Sequence, residues 1–201
     1  MKSAHAPDAP KDAGQAESGF RYRVEASCPR TRARRGVFHT PHGAVPTPAF
    51  MPVGTRASVK GVLPDRLAAL GSTMILANTY HLALRPGSEV VRELGGLHRF
   101  MGWDGPILTD SGGYQIFSLR HLTSIDDEGA TLRSIVDGSP VRFTPESVMQ
   151  IERDLGADVI MALDHCPASP TDRRDVERAT ARTHRWLEPA GQGSRLGASG
   201  I

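Results

Sequence analysis

From residue 20 onward, apolar positions fall into short runs divided by glycine, proline and small polar residues. Phe20, Tyr22, Val24 and Ala26 alternate with Arg21, Arg23 and Glu25, the period of a half-buried strand. A stretch punctuated by glycine and proline follows through His42-Gly43, where a hairpin is expected. Pro48 to Val53 predicts a short strand ending at Gly54-Thr55. Pro64 opens a short helix carrying Leu67, Ala68 and Leu70, with proline just inside the start and Gly71 at the stop. Met74 to Ala77 is a buried strand closed by Asn78. Ser88 to Leu94 is helical and halts at Gly95-Gly96, and Pro106-Ile107-Leu108 forms the next strand, running into Thr109-Asp110. Residues 131–143 form an excursion of two strands hinged at Asp137-Gly138, a strong turn signal. Thr144-Pro145-Glu146 starts a helix carrying Val148, Ile151 and Leu155 that ends at Gly156. Val159 to Leu163 is another buried strand, ending at Asp164, and a last helix runs from about Pro170 to Leu187.

Four short apolar strands thus alternate with four helices. Runs that are apolar at every position belong to parallel strands covered on both faces. A doubly wound sheet and a (β/α) barrel both fit the alternation, and four units are half of the eight a barrel needs. Residues 1–19 read as a disordered tail without periodicity, residues 20–187 as the folded unit, and residues 188–201 as an irregular tail. That last stretch has four glycines and no strand pattern, as a truncation or frameshift would leave.

Composition narrows the setting. Of 201 residues, 39% are hydrophobic and 23% charged, a normal profile for a soluble domain. No stretch approaches the roughly 18 apolar residues of a membrane span, and the polar, Ala/Pro-rich start has no signal-peptide core, so a cytoplasmic location is expected. Two cysteines, Cys28 and Cys166, make neither a disulfide framework nor a metal motif. The net charge of +2 does not by itself point to nucleic acid. Six arginines between Arg21 and Arg35 make either a basic arm or an exposed strand face.

Asn78, Asp110 and Asp164 stand at the C-terminal ends of three predicted strands, the edge where parallel α/β architectures bind ligands. Two carboxylates there are placed to flank one substrate, although an aspartate at a strand end also caps helices. After Asp110 comes Ser111-Gly112-Gly113-Tyr114-Gln115. The glycine pair allows close backbone approach to a ligand, and Tyr114 offers an aromatic face.

At this point a resemblance becomes specific. Met51-Pro52-Val53-Gly54-Thr55, Asn78-Thr79-Tyr80-His81-Leu82, Arg85-Pro86-Gly87 and Gly95-Gly96-Leu97-His98 resemble successive motifs of the tRNA-guanine transglycosylases, bacterial branch. Phe100-Met101-Gly102-Trp103-Asp104, Pro106 through Gln115, Asp137-Gly138-Ser139 and Pro145-Glu146 continue them in order and spacing, over about residues 20–187. The resemblance implies the N-terminal half of an irregular (β/α)8 barrel of the TIM type, preceded by a short β segment. It implies a pentosyltransferase that exchanges the wobble guanine of tRNA for a deazaguanine precursor of queuosine. Asp110 would be the catalytic proton shuttle and would also touch the departing base. Ser111, Gly112, Gly113 and Tyr114 would line the same pocket, with Tyr114 stacked on the purine. Asp164 would recognise the base, with Cys166 beside it.

The implied partners are the tRNA anticodon loop and a guanine or deazaguanine base, with a homodimer in the full-length form and no membrane. No cofactor is expected in this chain. The Cys/Cys/Cys/His zinc site of full-length members, like their nucleophilic aspartate, corresponds to sequence beyond residue 201. Two readings of the polypeptide therefore stand side by side, a transglycosylase and an inactive or binding-only member of the family. One departure lies in the site itself: Asp164-His165-Cys166 replaces the usual Asp-Glu-Cys. Either recognition of a cationic aminomethyl group is altered, or His165 is structural and points away.

Overall fold

A computed structural model describes residues 19–169 and 171–194. The expected tail over residues 1–19 lies, apart from Gly19, outside the described residues. The chain opens with an antiparallel sheet of β1 (Arg21–Ser27), β2 (Arg34–Thr40) and β3 (Gly43–Thr47), ordered β1-β2-β3. The hairpin expected at His42-Gly43 joins β2 to β3. The half-buried strand is corrected. Every residue of β1 is exposed, including Tyr22 and Val24. Alternation specifies two faces, but nothing among the described residues packs a layer over either of them.

The next elements build an α/β unit. They are α1 (Pro64–Ala69), β4 (Ile75–Asn78), α2 (Thr79–Leu84), α3 (Ser88–Glu93), α4 (Gly96–Met101) and β5 (Ile107–Asp110). After β5 come α5 (Gly113–Ser118) and an antiparallel excursion of β6 (Thr123–Ile125), β7 (Ala130–Arg133) and β8 (Pro140–Phe143). The unit closes with α6 (Pro145–Leu155), β9 (Val159–Ile160) and α7 (Arg173–Ser194). Strands β4, β5 and β9 form a parallel sheet with β5 in the middle, where Asn78 lies opposite Asp110 and Thr109 opposite Ile160. Ile75, Ala77 and Ile107 are completely buried in a core with Leu82, Val91, Leu97 and Leu155. A second core joins Tyr80, Ile116 and Leu132 to Val148, Leu163 and Trp186 of α7.

Helix α6 shows how the local sequence fixes an element. Thr144 accepts from the Ser147 N–H while the Ser147 hydroxyl accepts from the Thr144 N–H, a reciprocal cap at the start. At the other end, Gly156 takes the left-handed conformation that glycine adopts without strain.

Three further readings are amended. The Pro48–Val53 run does not form a strand. Its end meets the sheet edge as a single parallel bridge, Val53 to Leu76, because Pro48 and Pro52 cannot donate to a ladder. Of Val159–Leu163, only Val159 and Ile160 join the sheet, since the Met161 N–H turns to a side chain instead. The last helix runs on to Ser194, past Leu187, despite Pro189, Gly191 and Gly193.

Candidate active site

Parallel register brings the ends of β4 and β5 side by side, and with them Asn78 and Asp110. The Asn78 amide donates to Asp110 Oδ2, and the Thr79 N–H donates to Oδ1 at 3.0 Å. Asp110 is therefore aimed along the sheet edge with one lone pair on each oxygen unused by these bonds.

Asp164 follows β9 at the same edge. The Ser111 hydroxyl donates to its Oδ1 at 2.8 Å, and the Gly113 N–H donates to that hydroxyl at 3.2 Å. Position 113 has to be glycine here. A Cβ on it would lie 1.9 Å from Asp164 Oδ1 and 2.7 Å from the Asp164 carbonyl oxygen. Gly112 has a φ of +83°, the turn that carries the chain from β5 into α5. Tyr114 begins the exposed side of α5 and leaves 66% of its surface open.

Cys166 donates its thiol to Asp164 Oδ2 at 3.4 Å. Burial, and then the charge of Asp164, push that thiol up to about 11, so it is a proton donor and not a nucleophile at neutral pH. His165 does not share this edge. Its N–H donates to the Thr183 hydroxyl, and its Nδ1 faces the Arg182 guanidinium at 3.2 Å. Burial, then Arg182, lowers its pKa, so a neutral imidazole accepts from arginine and joins α7 to the strand end. The structure thus brings Asp110, Ser111, Gly112, Gly113, Asp164 and Cys166 together, with Tyr114 at the rim, and turns His165 away.

Two groups were not foreseen. Glu152 of α6 is completely buried beneath the edge, where its Oε1 accepts from the Thr109 hydroxyl at 3.2 Å and the Met161 N–H at 3.1 Å. At the opposite, N-terminal end of the sheet, Asp158 accepts from His42 at 2.7 Å, His98 at 3.1 Å and the Ile107 N–H at 2.9 Å. The two imidazoles stack with centroids 3.6 Å apart. The sequence placed His42 in a hairpin turn and His98 in a family motif, and nothing in it joined either to Asp158.

Among the described residues, His42, His98 and Asp158 are the ligating side chains close enough to share a cation, and their donor atoms are paired with one another. The zinc that the resemblance implies for full-length members needs three cysteines and a histidine. With only Cys28 and Cys166 in the sequence, and Cys166 bonded to Asp164, these residues do not fit it.

Two carboxylates, a glycine turn and an open aromatic ring thus meet at the C-terminal edge of a parallel sheet in an α/β protein. The family described as Queuine tRNA-ribosyltransferase matches residues 28–195, and the chain belongs to that family, the tRNA-guanine transglycosylases. It is 59% identical over 169 residues to the queuine tRNA-ribosyltransferase of Prochlorococcus marinus, covering 84% of this chain and 45% of the relative. The Synechococcus elongatus protein of the same name is 56% identical over 171 residues, 85% of this chain and 44% of the relative. The chain therefore spans about half the length of the curated relatives it matches. Among the described residues, no helix is long and apolar enough to cross a membrane.

Proposed function

We propose that residues 20–187 form the base-holding half of a tRNA-guanine transglycosylase, the first part of an irregular (β/α)8 barrel acting in the cytoplasm. The observation that carries this reading is the convergence of Asp110 and Asp164 on one strand-end edge around the Gly112-Gly113 turn. Guanine presents a ring N–H beside an exocyclic amine, and the lone pairs left on the Asp164 carboxylate accept from both. Tyr114 supplies the face on which an unpaired purine stacks. The wobble nucleotide of the anticodon loop is splayed out of its stack to reach this edge.

The reaction follows the logic of a retaining glycosidase, with two displacements at the anomeric carbon. Covalent attack falls to an aspartate outside these 201 residues. Asp110 protonates guanine as it leaves and takes a proton from the incoming deazaguanine, which then displaces the enzyme. The sheet geometry supports this role, because Asn78 and the Thr79 N–H fix the Asp110 carboxylate while leaving it accepting capacity.

Calorimetric titration of the chain with guanine tests the pocket. Asp164→Ala and Tyr114→Ala are each expected to weaken binding by about tenfold or more, from lost hydrogen bonds and lost stacking respectively. Unchanged affinity in both variants, against measurable binding by the parent chain, refutes the assignment. In a full-length enzyme containing this sequence, Asp110→Asn should slow guanine exchange into tRNA by about 10²–10⁴-fold.

A further inference from the structure

Helix α6 is amphipathic, yet one of its charged residues faces inward. Glu152 is wholly buried, between the last turn of β5 and the departure of β9 from the sheet. Its Oε1 accepts from Thr109, the residue before Asp110, and from the N–H of Met161, three residues before Asp164. One oxygen thus ties together the two strands that carry the site's carboxylates.

Its other oxygen is in a different position. Among the described residues, neither Glu152 Oε2 nor the neighbouring Thr79 hydroxyl makes a full hydrogen bond, although both are buried. The Thr79 side chain nonetheless lies close enough to the carboxyl to favour its charged form. As a carboxylate, Glu152 would place a charge in the core beside Asp110, with the Thr79 hydroxyl, among the described residues, as the one group near Oε2 able to donate to it. As a carboxylic acid, it could donate an O–H to the hydroxyl of Thr79, whose own N–H holds Asp110. Among the described residues, no cation offsets a negative charge there. Asp110 of β5 is the charged group that faces it, α2 brings a hydroxyl, and Asp154 of its own helix turns away to Ser88 and Arg92 of α3.

We infer that Glu152 is a positioning residue of the strand-end site, a buried neutral acid that locks β5, β9 and Thr79 in register so that Asp110 and Asp164 converge without a third negative charge. The convergence itself is observed in the structure. The consequence for base binding rests on the function proposed above. In support, burial pushes the carboxyl from its ordinary 4.5 to about 8, with Asp110 adding to the rise against the hydrogen bonds from Met161, Thr109 and Thr79.

The test compares the parent chain with Glu152→Gln and Glu152→Leu. Gln keeps the shape and both hydrogen-bonding functions without an ionisable proton, whereas Leu leaves the Thr109 hydroxyl and Met161 N–H unpaired. A folded pKa raised above the unfolded value means that the folded chain binds the extra proton. Stability of the parent should therefore decline as pH rises from about 5 toward 9, while Glu152→Gln stays flat by comparison. The histidines titrate alike in both, so the difference between the two melting profiles isolates position 152. Parallel profiles for parent and Gln overturn the neutral acid.

Guanine titration at pH 6.5 gives the second readout. Gln should bind as the parent does, and Leu should bind about tenfold more weakly while still melting cooperatively. Parent-like binding by a folded Leu variant overturns the positioning role. If the parent binds no guanine, the pocket assignment fails, and the melting profiles still decide the state of Glu152.

Discussion

At the N-terminal end of β5 and β9, Asp158 meets three donors, the rings of His42 and His98 and the Ile107 N–H, and its side chain has no exposure to solvent. At the C-terminal end, Asp110 and Asp164 each meet two donors and are only partly buried. The same residue type on the same sheet is saturated at one end and left with accepting capacity at the other. A saturated carboxylate fastens elements together: here, the β2–β3 hairpin, α4 and the start of β5. An unsaturated one, held in place but still able to accept, supports the ligand-holding role proposed for that edge.

The largest expected effect lies at the fastened end. Asp158→Ala leaves a backbone N–H and two imidazoles without their acceptor and should cost about 3 kcal/mol of stability. Asp158→Asn should cost only about 1 kcal/mol, because the amide group can face His42 in its other tautomer while its oxygen serves Ile107 and His98. Chemical denaturation of both variants measures this, and equal losses would show that the shared carboxylate is not what joins the hairpin to the sheet. Acid sharpens the comparison. Burial raises the Asp158 pKa, but the hydrogen bonds from His98, His42 and Ile107 outweigh it and hold the carboxyl well below the usual range. Its contribution is present at neutral pH and is lost as pH falls through that low value, so Asp158→Asn should remove part of the acid limb of the stability profile.

A smaller effect belongs to the open end. Gly113→Ala drives a Cβ into the Asp164 carboxylate and should weaken guanine binding by about tenfold, with less effect on melting than Asp158→Ala. A variant with parent affinity would mean that Asp164 can move aside and still serve the base. The smallest effect is expected at His165, which faces α7: His165→Gln should change guanine affinity by less than about twofold. A larger loss would move His165 back to the binding edge.

The sequence was most readable where local chemistry decides structure. The Thr144-Pro145 start and Gly156 stop of α6 were visible because caps are built from neighbours in the chain. The strands ending at Asn78 and Asp110 were visible as apolar runs, and the Asp110–Tyr114 turn followed directly. Six residues show little helical period, so α1 and α3 were visible mainly from the Pro64 start and the Gly71 and Gly95-Gly96 stops, whereas α2, α4 and α5 escaped. The exposure of β1 escaped for another reason, since alternation says which residues share a face and not what covers it. Glu152 reads as an ordinary surface charge on α6. Its burial arises only when β5 and β9 pack over that face, a contact between residues 43 positions apart. The link between His42 and Asp158 spans 116 positions and left no local trace.

The bond between Cys166 and Asp164 also bears on how the protein can be handled chemically. Thiolates react with maleimides and haloacetamides, and a thiol held up to about 11 supplies almost none at neutral pH. Cys28 is its opposite. Hydrogen bonds from the Thr31 hydroxyl, then from the Arg30 and Thr31 amides, lower its pKa. A limiting amount of reagent should therefore label Cys28 first, placing a single dye next to β1 while the strand-end edge stays unmodified. Slow reaction at Cys166 would then become a gauge of that edge, quickening whenever the Asp164 contact opens.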